Sequence, residues 1–180
     1  INGMSFSQRQ SKWANSALVV TVNPNDMVSE TGDWDSKYPL RGVLWQEHFE
    51  RLASKMGGGD LVVPVQRVTD FMSGTVSEPD ADTGKFSSSY RMGVKTAPLH
   101  ELYPPFVTAA IRAALIDFDR RMPGFVCPEA ILHGVETRTS APVQITRNRA
   151  TMECETMRGL YPAGEGAGYA GGIVSAAVDG

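Results

Sequence analysis

Apolar residues step by three and four along two stretches of the chain and gather in short β-branched runs elsewhere. Between 40 and 56, Trp45, His48, Phe49, Leu52, Ala53 and Met56 share one helical face, so the spacing predicts an amphipathic helix. Gly57-Gly58-Gly59 closes it with residues that accept the positive φ common at helix ends. A stronger pattern covers 104–122, where Val107, Ala110, Ile111, Ala114, Leu115 and Phe118 line one face behind two leading prolines, with Pro123-Gly124 as the stop. Short apolar runs at 16–22, 61–65, 130–136 and 142–145 predict strands, and Pro64 argues for an edge or a bulge in the second. The turn-forming Asn23-Pro24-Asn25-Asp26 closes the first of these strands. Polar, aperiodic stretches occupy 1–15, 29–38, 73–97 and 146–158; a loop as long as 73–97, which holds Glu78-Pro79-Asp80, is more often functional or mobile than inert. No internal repeat is present, and the mixture predicts an α+β fold with two main helices.

The chain has 180 residues, 42% hydrophobic and 21% charged, which suits one domain or one domain with part of another. A net charge of −3 gives no strong pull towards nucleic acid or an anionic membrane. With 18 glycines and 11 prolines the fold is expected to be loop-rich rather than a helical bundle. No apolar run reaches the roughly 18–20 residues of a membrane span, and Ile1-Asn2-Gly3-Met4 does not open a signal peptide. The absence of an initiator Met, and an end at Gly180 just after the apolar run 173–178, lead us to expect a piece of a longer protein. Cys127 and Cys154 have no CxxC spacing and the histidines, His48, His100 and His133, are scattered, so no metal site is expected. Both cysteines read as reduced, partly buried thiols of a cytoplasmic protein.

The last 22 residues differ in kind. They run from Gly159-Leu160-Tyr161-Pro162-Ala163-Gly164-Glu165 through a glycine-rich loop to the small-residue segment 173–178. A short strand entering such a loop and a helix leaving it would let backbone N–H groups approach a ligand, with the helix start adding partial positive charge. Gly166-Ala167-Gly168-Tyr169-Ala170-Gly171 matches GxGxxG, but the chain ends nine residues later, too soon for the strand and acidic residue of a dinucleotide fold. Close packing of a helix on a sheet is the competing explanation for these glycines.

The block 159–180 resembles the C-terminal flavin-contacting motif of FAD-dependent oxidoreductases with a glutathione-reductase-type FAD domain. It is more similar still to a family of bacterial uncharacterised NAD(FAD)-utilising dehydrogenases, together with Asn2-Gly3-Met4-Ser5, Ala14-Asn15-Ser16 and Glu136-Thr137-Arg138-Thr139-Ser140. The resemblance implies a substrate domain over 1–155 and a C-terminal strand and helix over 156–180 that complete a split FAD-binding domain. The N-terminal FAD half of the same protein would be the partner, and a small molecule the substrate.

By the same resemblance Gly164, Glu165, Gly166, Gly171, Gly172 and Ile173 contact the cofactor. Glu165, where the superfamily usually has Asp, would accept a ribityl hydroxyl; the alternative is a solvated loop carboxylate. Gly171, Gly172 and Ile173 would aim N–H groups at the flavin N1 and C2 carbonyl, where reduction places negative charge; the alternative is an ordinary helix start. The implied activity is FAD-dependent oxidoreduction with NAD(P)H as electron partner, the fragment alone being inactive. A non-catalytic α+β domain binding a nucleotide or phosphate through the glycine loop is the other reading, and a purely structural domain a third. Arg138 reads as a solvated strand-end cation or as an anion contact, and His48 as a core residue of the 40–56 helix.

Overall fold

The computed structural model describes residues 7–27, 37–81 and 86–180. Asn2-Gly3-Met4-Ser5 and most of the polar stretch 29–38 lie outside the described residues, as do 82–85 of the long polar loop. The chain forms two compact units, Ile1–Thr21 with His48–Glu136 and Val22–Glu47 with Thr137–Gly180. The architecture is α+β, with four α-helices and one three-stranded sheet among the described residues.

Helix α1, Arg41–Gly57, forms where the periodicity places it and buries Trp45, Phe49 and Ala53 at four-residue steps. His48 is a correction, because it is exposed, with its ring edge-on to Phe49 at 4.9 Å between centroids. At 3.6 residues per turn His48 sits about 100° from the centre of the buried stripe, on its margin.

In the first unit, strand β1, Val63–Arg67, occupies the middle of the sheet. It runs parallel to β2, Val94–Thr96, and antiparallel to β3, Ile131–His133, in the register Val65↔His133. Pro64 is therefore central rather than at an edge. Its carbonyl accepts from Gly134 N–H at 3.0 Å, just past the end of β3, so its missing donor costs the sheet only a terminal bond. Strand β2 arises inside the stretch read as a polar loop; its three residues are too short to show a period. A one-and-a-half-turn helix α2, Val68–Ser73, follows β1 directly and ends on Gly74 at φ 75°.

Helix α3, Pro105–Arg121, buries Val107, Thr108 and Leu115. Asp119 near its end accepts the N–H groups of Gly124 (3.1 Å) and Val126 (3.0 Å), fixing the turn that follows. Ala53, Val68, Phe71, Leu99, Leu102 and Leu115 form the core of the unit. The polar side chain of Gln66 is fully buried: its Nε2 donates to the Thr75 carbonyl at 2.6 Å and meets His100 Nδ1 at 2.8 Å, while its Oε1 accepts His100 N–H. Residues 16–22 form no ladder among the described residues, and Val19 is 63% exposed. β-branched composition favours an extended backbone without supplying a partner strand.

In the second unit the 23–26 turn forms as read, with Asp26 accepting Asn23 N–H at 2.9 Å. Gly42 on α1 lies so close to Pro142 that a Cβ would sit 2.9 Å from the proline Cβ, and Gln46 Nε2 donates to the Thr137 carbonyl at 2.9 Å. The strand expected at 142–145 does not form, and neither does the strand expected to enter the glycine loop. Pairing in this region is limited to one bridge, Arg147 with Cys154. Gly159 at φ 79° and the absent N–H of Pro162 break any ladder over 156–163. The expected closing helix does form, as α4, Ile173–Asp179. Cys127 and Cys154 are both free, Cys154 buried and Cys127 half-buried. Among the described residues no helix is long and apolar enough to cross a membrane.

Candidate functional site

The glycine segment is folded against 142–147 by bonds that a β-ladder would not make. Ile145 N–H donates to the Ala167 carbonyl at 3.1 Å, and Gln144 Nε2 to the Gly168 carbonyl at 2.9 Å. The Tyr169 hydroxyl donates to the Ile145 carbonyl at 2.8 Å. Within the loop, Gly168 N–H reaches the Glu165 carbonyl (2.9 Å) and Tyr169 N–H the Gly164 carbonyl (3.0 Å), so 164–169 closes as two overlapping turns. Gly164 and Gly168 hold left-handed backbone, φ 69° and 83°. A Cβ on Gly168 would lie 2.8 Å from Gln144 Cα, so glycine is required there by backbone shape and space together.

Arg147 ties the loop to the closing helix. Its guanidinium makes a two-pronged ion pair with Asp179, donates to the Pro162 carbonyl at 2.6 Å, and stacks 3.7 Å from the Tyr169 ring centroid. Asp179 also accepts Gly164 N–H at 2.9 Å. The Arg147 hydrogen bonds, then the Gly164 N–H, hold the Asp179 carboxyl below the usual carboxylate range, and the same pair raises Arg147. Neither residue stands out in sequence: Arg147 lies in an aperiodic polar stretch and Asp179 is the penultimate residue. A 32-residue separation hides the pair from any local pattern.

The six residues named from sequence fall into two groups. Gly164 is buried against α4, where a Cβ would touch Ala176, the middle residue of the helix, at 3.4 Å, and Glu165 and Gly166 follow it as exposed loop residues. Gly171, Gly172 and Ile173 lead into the N-terminal end of α4, the helix on which Gly164 packs. Gly172 is its N-cap, extended at φ −122°, and its carbonyl accepts the Ser175 hydroxyl at 3.0 Å. Gly164 N–H is committed to Asp179, so this glycine shapes the loop. Gly166 has neither left-handed backbone nor any atom within 4 Å of a Cβ, so no demand of the loop itself explains it.

The other candidates lie elsewhere. Arg138 is exposed. His100 pairs with Gln66 and lies 3.7 Å from Glu101. His133 on β3 meets Ser88 Oγ at 2.8 Å, and burial lowers its pKa against the opposing pull of the Ile131 carbonyl.

Two comparisons bear on this geometry. An uncharacterised protein of Clostridium beijerinckii is 48% identical over 179 residues, an alignment covering 99% of this chain, glycine segment included. The chain spans about a third (32%) of that relative's length. The family model for the C-terminal-domain-like region of FAD-dependent proteins matches residues 1–139, most of the chain, and places the chain in the family "FAD-dependent protein, C-terminal domain-like".

Proposed function

We propose that the full-length protein is a cytoplasmic FAD-dependent oxidoreductase that exchanges electrons with NAD(P)H and acts on a small-molecule substrate. In this reading residues 1–155 serve as the substrate domain and 156–180 complete an FAD-binding domain whose N-terminal half belongs to the rest of the polypeptide. Family membership over residues 1–139 is the observation that carries the reading. The surface of α4 supports it: Ile173, Val174 and Val178 are 92%, 77% and 82% exposed, an apolar helix face that a larger protein would cover.

The residues fit an extended cofactor. Gly166 leaves open space that a side chain would fill, and Glu165 is exposed beside it. At the start of α4, Gly172 N–H donates to Ser175 Oγ at 3.2 Å, and the Ile173 N–H in the first turn has no carbonyl partner within the helix itself. A ligand touching both groups must lie along α4, as the ribityl chain and ring of a flavin would. FAD supplies the hydride chemistry when bound; the chain supplies an acceptor at Glu165 and a backbone donor at Ile173.

The test is the full-length protein, assayed for flavin absorbance and NAD(P)H oxidation, with FAD dissociation followed by fluorescence for Glu165→Ala and Glu165→Gln. Losing one charge-assisted hydrogen bond weakens FAD by about 10- to 150-fold in the alanine variant. The glutamine variant loses less, because its amide oxygen still accepts. Unchanged affinity in Glu165→Ala would mark Glu165 as a solvated loop carboxylate and remove the site.

A further inference from the structure

The first unit contains a cavity of about 780 Å³, within the range of small-molecule sites. Half-buried Leu18, Ile111, Phe125, Leu132 and Val135 give it an apolar lining. Ser88 and His133 line the same cavity. Ser88 comes from the polar stretch whose length suggested a function and His133 from β3, and the fold brings Ser88 Oγ to 2.8 Å from His133 Nε2.

The proton positions follow from the partners. The Ile131 carbonyl accepts from the His133 ring, and because Nε2 faces Ser88, the donor is Nδ1–H. Nε2 then carries a lone pair, to which the Ser88 hydroxyl donates. Tyr90 N–H donates to Ser88 Oγ at 3.1 Å, which uses one of the two lone pairs on that oxygen and leaves the other for attack. Burial lowers the His133 pKa by more than the Ile131 carbonyl raises it, so the imidazole is neutral at pH 7 and able to take a proton. A hydroxyl, a base within hydrogen-bond reach and a third group that orients the base are together the parts of an activated serine.

We infer that Ser88 and His133 are the nucleophile and general base of an acyl-transfer site that hydrolyses esters of apolar carboxylic acids, with the acyl chain in the cavity. Ser88 Oγ attacks the ester carbonyl carbon and bonds to it while its proton passes to His133 Nε2. The bond from that carbon to the alcohol oxygen breaks, and the imidazolium gives the proton to the departing oxygen. Water then attacks the acyl-serine, losing a proton to Nε2, and Ser88 Oγ takes that proton back as the carboxylic acid leaves. Water is the only co-reactant. The site uses none of the residues assigned to the flavin, so the two readings stand or fall separately.

Hydrolysis of p-nitrophenyl hexanoate by the full-length protein at pH 7.5 tests it, beside labelling with phenylmethanesulfonyl fluoride, in which Oγ bonds to sulfur and fluoride leaves. Saturable hydrolysis above the buffer rate is expected, with kcat/KM at least a hundredfold lower in Ser88→Ala. His133→Gln is expected to lose about 10²- to 10⁴-fold, the contribution of a general base. Labelling of the parent protein needs no variant to fold, and peptide mapping should place one adduct on Ser88. Hydrolysis no faster than in buffer, an unchanged rate in folded Ser88→Ala, or an adduct on Ser87 or Ser89 in place of Ser88 overturns the inference.

Discussion

Gly168→Ala, set beside Gly166→Ala, separates the glycines that the loop needs for its own fold from those it does not. At Gly168 the new methyl meets two penalties. Its backbone is left-handed at φ 83°, which costs a residue with a Cβ about 1–2 kcal/mol. The Cβ would also sit 2.8 Å from Gln144 Cα and closer still to the Val143 carbonyl oxygen. Both are backbone atoms that cannot rotate away, and relieving such an overlap costs roughly a further 1–3 kcal/mol. Together these give about 2–5 kcal/mol of local destabilisation. Gly166 has ordinary backbone and open space, so alanine there should stay within about 0.5 kcal/mol. Hydrogen exchange reads the difference at the amides of Ile145 and Tyr169, which close the loop onto the Ala167 and Gly164 carbonyls. At tenfold per 1.4 kcal/mol, Gly168→Ala should speed their exchange by about 30- to 4,000-fold, while Gly166→Ala leaves it within about twofold. Equal acceleration in the two variants would refute the steric argument.

Two further outcomes follow from the buried polar contacts. Gln66→Leu leaves the Thr75 carbonyl and two groups of the half-buried His100 without their partner, and should cost about 2–4 kcal/mol in urea unfolding; a loss under 1 kcal/mol would show that the surroundings satisfy them otherwise. The depressed carboxyl of Asp179 makes its contribution fully present above the unfolded-chain value of about 3.9, and that contribution is lost as pH falls through the lower folded value. Asp179→Asn should therefore speed exchange of the Gly164 amide at pH 6–7, with the difference from the parent shrinking below about pH 4; a difference of the same size at pH 3 and pH 7 would exclude the ion pair as its cause.

The residue order alone determined the elements whose information is local. Helices α1 and α3 follow from apolar steps of three and four and from the flanking Pro and Gly, and α4 from the small-residue segment after the glycine loop. The reading of an FAD-dependent protein was also present in the chain, as a motif resemblance that the family match supports at the level of an FAD-dependent C-terminal domain.

Strand pairing was not legible. Residues 16–22 have the composition of a strand and form no ladder among the described residues, whereas Val94–Thr96 lies in a polar stretch and pairs with β1. A strand exists only where another offers its N–H and C=O groups, and that is a property of the whole fold. His48 illustrates the same limit at one residue, since a periodic pattern locates a face but not the edge of its burial. The distribution of the site was hidden for a related reason. Sequence placed Gly164 and Gly172 eight residues apart in one glycine run, and the tertiary structure packed Gly164 on Ala176 and Asp179 of α4 while Gly172 caps the start of that helix. It also bound the loop through Arg147 and Asp179, a contact across 32 residues that no local period encodes. The Ser88–His133 pair, across 45 residues, is equally a product of the fold: loop and strand meet only once the sheet has closed.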